Sequence, residues 1–339
     1  MKPRDVVKLA FQFTEHSEIP FTMDLSTDQE QELSRYYGNE DWKKQAKPYM
    51  KTITGVDNFL SAAGFEKLSG RLRRDCFGCV WDMGSTHHLV EAPLKEPRLN
   101  GYTLPDIDVY FDKHVRNAWE REIASTSGSF RIIGHSFGLF ERCWSLRGFE
   151  EFLIDLCYSP AFCEELIETV ADWMIKSIDN MLEAPVDAIM LTDDYADQRG
   201  VIFGIDRFRK FFKPHWKRIF ARIKKAGVYS ILHVCGNALP AVGDLIECGL
   251  DCLESLQPEA MDVFRLKKEY GKDIRLWGGL GAQSTLPFGT ADDVRREVRR
   301  LRSELGSGGG YVLAPAKPFS GYSVPVENIA MYLEEALLH

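Results

Sequence analysis

The sequence predicts an α/β protein: a single-domain (β/α)8, or TIM, barrel over residues 1–339, with an N-terminal elaboration at 26–129 and the main βα units at 130–339. Three observations carry that expectation. From residue 185 onward, short apolar runs alternate with helical patterns, which is the rhythm of a parallel sheet. Polar side chains collect at the C-terminal ends of those runs, where a parallel barrel keeps its chemistry. A strand-like segment, "IPFTMDL" at 19–25, precedes the divergent region, which makes that region an insertion into the barrel rather than a separate domain.

After this first segment, residues 26–129 hold polar helices, the hairpin-like "GRLRRDCFGCVWDMG" and the Pro- and Gly-punctuated "EAPLKEPRLNGYTLPDID". A second strand is expected over 130–138. Ser159-Pro160 starts a long helix to about Leu182, since proline suits a first helical turn. Nearly continuous apolar strands, as strands covered on both faces must be, are expected at 187–194, 230–236, 251–257, 274–280 and 311–317. Between them Asp206 opens an amphipathic helix that closes at Gly227, and Thr290 caps "ADDVRREVRRLRSEL", whose first turn is acidic.

With 45% hydrophobic and 12% aromatic residues the chain can bury a large core, which excludes a disordered or fibrous protein. A net charge of −8, with basic residues spread along helices such as "RREVRRLR", argues against a nucleic-acid partner. There is no run of about 18 apolar residues, and charges interrupt the N-terminal apolar stretch. Neither a membrane partner nor a signal peptide is expected, and the expected location is cytoplasmic. Eight cysteines without regular spacing do not make a disulfide framework, so most belong in the core.

The predicted rim carries Asp193, Asp194, His233, Cys235, Glu254, Gln257 and Lys317. His233 and Cys235 stand two apart where a strand runs into Gly236, so imidazole and thiol face one side. Asp193 and Asp194 are adjacent and point to opposite sides; at most one faces the pocket, and a helix cap is the other role open to them. His135, toward the end of the 130–138 strand, is a candidate proton donor. Arg199 and Lys317 suit a substrate carboxylate, and Gln283 in the tight loop "GGLGAQ" lies near substrate. "CFGC" at 76–79 is a hairpin turn rather than a metal cluster, since a lone C-x-x-C lacks a second pair. Gly308, Gly309 and Gly310 fall at the face opposite the rim.

Together "HVCGN", "GLDCLESLQPEAMD", "LWGGLGAQSTLPFGT", "GGGYVLAPA", "DDYADQRG" and "GLFERCWSLRG" resemble the uroporphyrinogen decarboxylase superfamily. Its (β/α)8 barrels include the tetrapyrrole decarboxylase and the zinc-dependent methyltransferases of corrinoid systems. The resemblance is close over residues 125–339 and looser before them. The decarboxylase carries an arginine-rich clamp after its first strand, whereas "FTMDLSTDQEQELSRYYG" here has no arginine before Arg35. The methyltransferase branch holds zinc through His-x-Cys, matching His233 and Cys235, and adds a cysteine after the last strand. Ala316 and Lys317 stand at that place here.

The resemblance therefore implies zinc on His233 and Cys235, completed by a carboxylate from Asp193, Asp194, Glu254 or Glu259. Such a donor set is harder than one with two thiolates and suits an oxygen ligand. It further implies a methyltransferase of O-demethylase type, moving a methyl group from a small methoxylated donor to the Co(I) of a corrinoid (cobalamin) carried by a partner protein. Zinc would polarise the ether oxygen while Co(I) attacks the methyl carbon. Asp193, Asp194 and His135 would serve catalysis, and Lys317, Arg199, Gln257 and Gln283 would contact substrate. A metal-free decarboxylase and a non-catalytic barrel that docks a corrinoid protein are the alternatives; a homodimer is compatible with each.

Overall fold

Short apolar runs that must be covered on both faces become six of seven parallel strands. They pair strictly in chain order: β1 (Met50–Ile53), β2 (Phe130–His135), β3 (Ala188–Thr192), β4 (Tyr229–His233), β5 (Cys252–Leu256), β6 (Arg275–Leu280) and β7 (Tyr311–Pro315). The structure, a computed structural model, describes residues 1–53, 66–84, 87–126 and 128–338; parts of the 26–129 elaboration thus lie outside the described residues. Parallel neighbours need a crossover between each pair, and sequential order sends the crossovers to one face, which curls the sheet.

The curl brings the two edges toward each other. Phe21 bridges Leu313 of β7 in parallel, and its ring lies 5.2 Å from that of Tyr49, the residue before β1. The strand expected at 19–25 is reduced to this one bridge. Leu313 N donates to Pro20 O at 2.9 Å, but Pro20 has no N–H with which to extend the ladder. Among the described residues no ladder joins this segment to β1, so the sheet has seven paired strands where eight were expected.

β1 itself lies inside the elaboration. Its sequence, "MKTI", exposes Lys51 and Thr52, so it lacks the apolar run that marks the other strands. The hairpin expected around "CFGC" pairs Leu72–Arg74 with Val80–Met83 in antiparallel fashion. Asp75 pins its turn by accepting from Phe77 N, Cys79 N and Trp81 Nε1, each at 2.9 Å. Trp81 then packs against Phe137 and Trp144 at 5.6 and 6.2 Å, laying this small sheet over the chain that follows β2.

Helix α1 (Pro3–Phe11) closes the face where the strands begin, with Arg4 paired to Asp187 at 2.7 Å. Gly310 N donates to Ala10 O at 3.0 Å, so the triple glycine packs under α1. Helix α2 (Leu139–Arg147) follows β2, and α3 (Pro160–Met181) begins at the expected proline. α3 buries Phe162, Leu166, Val170, Met174 and Ile178, a stripe at i, i+4 spacing. The helix expected after Asp206 contains a wide π turn at Phe208–Phe212 before α4 (Lys213–Lys225). Pro214 explains it, because proline offers no N–H and clashes with the carbonyl four residues back. Helix α5 (Ala291–Glu304) starts with the full capping box of Thr290 and Asp293. Among the described residues no helix is long and apolar enough to cross a membrane.

Candidate metal centre

β4 ends at His233, and Cys235 lies two residues further on. Val234 N donates to Glu254 O at 2.7 Å, so the alternation of the strand persists past its end. The Cys235 Sγ consequently lies 3.4 Å from His233 Nε2. Gly236 then turns the chain at φ +82°, and a Cβ there would meet the Asp197 carbonyl oxygen at 2.7 Å, so only glycine fits. Gln257 Oε1 accepts from Gly236 N at 3.0 Å and holds this turn.

Asp194 is the third member. Its Oδ1 accepts from Cys235 N at 2.8 Å and lies 3.9 Å from His233 Nε2. One donor atom from each of Asp194, His233 and Cys235 lies within 4.8 Å of the others. Tetrahedral zinc with bonds of about 2.0–2.3 Å sets its donor atoms about 3.3–3.8 Å apart, so the three residues fit that ion after small adjustments. Glu254 stands behind the group, its carboxylate hydrogen-bonded to His233 Nδ1, which leaves Nε2 to face the shared space. Burial opposes a charged imidazole here, but Glu254, then Cys235 and Asp194, push His233 well above its usual range. The metal-free ring therefore holds a proton that a metal has to displace.

Asp193 faces the other way, as adjacent residues in extended chain do. Its fully buried carboxylate accepts from Phe140 N at 3.1 Å and Glu141 N at 2.9 Å. It caps α2, which precedes it in the chain, so its place is structural and not in the cluster. Burial pushes it up to about 7 against the pull of those hydrogen bonds. Gly138 makes room for it: a Cβ there would lie 2.5 Å from that of Asp193. Gly138→Ala is expected to dislodge the cap and cost at least about 2 kcal/mol. Thermal unfolding checks this; an unchanged Tm would mean the carboxylate is not held against α2.

Glu141, which sequence reasoning did not single out, stands near this group. Burial, then Asp193 and Asp194, push its carboxyl well above the usual range, with His233 pulling the other way. A carboxyl whose proton is held more tightly than usual beside a metal-ligand set is a general-acid candidate. Its sequence signal, an acid in the first helical turn after a strand, is the same as that of an ordinary helix start.

The remaining candidates lie elsewhere. Glu259 Oε1 accepts from Gln283 N at 2.8 Å and Ser284 Oγ at 2.7 Å, so it is not brought to the cluster. Lys317 and Gln283 line a cleft of about 760 Å³ with Phe288 and Tyr322, which neither His233 nor Cys235 lines. The Lys317 ammonium sits 5.8 Å from the Tyr322 ring centroid. Arg199 is 92% exposed and paired with Asp197 at 3.2 Å, while Gln257 is engaged by Gly236. His135 is buried, and neither of its ring nitrogens has a hydrogen-bond partner.

Residues 78–337 of this chain match Uroporphyrinogen decarboxylase (URO-D), and the chain belongs to that family. It is similar to the methylcobamide:CoM methyltransferase MtaA of Methanosarcina barkeri, 27% identical over 166 residues, 49% of this chain and 46% of MtaA. It is also similar to the uroporphyrinogen decarboxylase of Rhodococcus erythropolis, 30% identical over 145 residues, 43% of this chain and 38% of that protein. The chain spans about half the length of the curated relatives it matches, or less. A solved methyltransferase from Methanosarcina mazei shares the fold, with a TM-score of 0.74 at 19% identity over 99% of this chain and 98% of that one.

Proposed function

We propose that the chain is a methyltransferase that moves a methyl group from a small methoxylated donor to the Co(I) of a corrinoid-carrying partner protein. The observation that supports this most is the group of Asp194, His233 and Cys235, three donors, which is the ligand count of a catalytic zinc rather than a structural one. Relatives named methylcobamide:CoM methyltransferases support methyl transfer that involves a corrinoid, there with methylcobamide as the donor. Bound there, zinc would supply a Lewis acid at the C-terminal face of the sheet.

The chain's own groups do the rest. Glu254 fixes the tautomer and aim of His233, and Gln257 holds the loop that carries Cys235. The Glu141 carboxyl, raised by burial and by Asp193 and Asp194, stands beside the cluster. Lys317 and Gln283 offer a cation and an amide in the other cleft. Asp194 in place of a second thiolate makes a harder donor set, which favours an ether oxygen over sulfur. Closure of the sheet into an eight-stranded barrel through the Phe21 segment, and action as a single cytoplasmic domain, belong to the same reading.

The test incubates the purified chain with a reduced corrinoid protein and a panel of methoxylated acids. Loss of the Co(I) absorbance and appearance of the methyl-cobalt spectrum are expected with at least one donor. CO2 release from uroporphyrinogen without cobalt methylation would establish the decarboxylase alternative. Binding of the corrinoid protein without either reaction would establish a docking role.

A further inference from the structure

Arg142 on α2 is 2% exposed, and no carboxylate pairs with it among the described residues. A guanidinium stays charged at any pH a protein meets, so burying one without a counter-ion is unfavourable. Its plane lies over the Phe77 ring, 3.5 Å from the centroid, and 4.9 Å from that of Phe137. Attraction to those ring faces offsets part of the cost but satisfies no N–H. Nη1 donates to Ser145 Oγ at 3.4 Å, and Nη2 donates to nothing. The buried Asp75 carboxylate accepts from Phe77 N, Cys79 N and Trp81 Nε1 and forms no ion pair with Arg142.

His135 repeats the pattern at the end of β2. The ring is 1% exposed and edge-on to Trp173 at 6.0 Å, and both of its nitrogens are without partners. The backbone at His135 and Ser136 lies close to the ring, and the charge of Arg142 acts on it. Strand and following helix thus deliver two neighbouring buried groups, both with unmet hydrogen-bonding capacity. Proteins satisfy such groups almost always, so two together point to a missing ligand.

We propose that Arg142 and His135 form a subsite for the carboxylate of a small organic acid. The guanidinium fork matches a carboxylate in geometry as well as charge, and a neutral imidazole adds one N–H. The rings of Phe77, Phe137 and Trp173 suit a flat apolar body attached to that carboxylate. Phe137 is the side chain that has to give way. It is only half-buried where Arg142 is buried, and it holds a left-handed φ of +59° that a phenylalanine rarely adopts. Arg142 directly follows Glu141 on α2. The proposal concerns binding alone and stands or falls without methyl transfer.

The full chain is titrated calorimetrically with sodium benzoate, with benzamide as the uncharged counterpart, and with sodium chloride and phosphate at matched ionic strength. Benzoate is expected to bind at one site, with benzamide weaker and Arg142→Gln weaker for benzoate by at least about tenfold each. A second measurement needs no variant: wild-type crystals soaked in para-bromobenzoate are expected to place the bromine anomalous signal beside Phe137, with the carboxylate on Arg142. Benzoate affinity equal in wild type and variant, no benzoate binding, binding of chloride or phosphate in its stead, or bromine only in the Lys317 cleft would each overturn the assignment.

Discussion

Protein purified from zinc-supplemented cells is expected to carry about one zinc per chain, and His233→Ala or Cys235→Ser less than about a tenth of that. The expectation rests on three donor atoms already gathered within 4.8 Å and on a histidine whose far nitrogen is held by Glu254. Asp194→Ala should lose most of the metal as well. Glu254→Gln should keep it with affinity lower by about 10- to 100-fold, since the amide holds the imidazole less firmly. The sign of the pH effect follows from His233. Its folded pKa is raised, so a proton competes with the metal at all pH values below that raised pKa, and affinity rises as the pH climbs toward it. Glu254→Gln removes the first-ranked group that raises it and should flatten this rise. Added zinc should also raise the Tm of the wild type and not of His233→Ala. Metal analysis by mass spectrometry decides: equal zinc in wild type and Cys235→Ser would sink the centre.

How far this site could be read beforehand depended on whether a residue's partners were near it in sequence. His233 and Cys235 share one strand end, and strand alternation alone places them together. The single inward carboxylate of the Asp193 and Asp194 pair follows from the same rule, but which of the two turns inward does not. That choice is made by α2, some fifty residues earlier in the chain, whose first-turn amides take the Asp193 carboxylate. Glu254 is expected among the ligands because it lies on the next strand; parallel register sets it opposite His233, close enough to hold the far side of the ring. Glu259, five residues on, has turned into the loop that carries Gln283. Of the fold, strands with continuous apolar sequence were legible. β1 was not, because two of its four side chains face solvent and its pairing with β2 is set by tertiary contact.

His135→Leu is expected to stabilise the ligand-free protein at pH 7 by about 1–2 kcal/mol, because the buried imidazole has no partner to lose and leucine has no polar atom to strand. The same change should remove a sensitivity to mild acid. Burial first, and the neighbouring charge of Arg142 second, bring the folded pKa of His135 down to about 4 from an ordinary 6.5. Between those two values the unfolded chain holds the extra proton and the folded chain does not, so each step down in pH favours unfolding. The loss begins near pH 6.5, is complete near pH 4, and amounts to about 3 kcal/mol over the window. Urea unfolding of wild type and His135→Leu at pH 7, 6, 5 and 4 isolates it, since every other titrating group is common to both. The difference between the two proteins should widen by that amount as the pH falls. A variant less stable than wild type at pH 7, or one with an unchanged acid slope, would show that the ring nitrogens are partnered in solution. A gain in stability from deleting a buried histidine is what a binding group held ready without its ligand should give, for such groups cost stability until they are used.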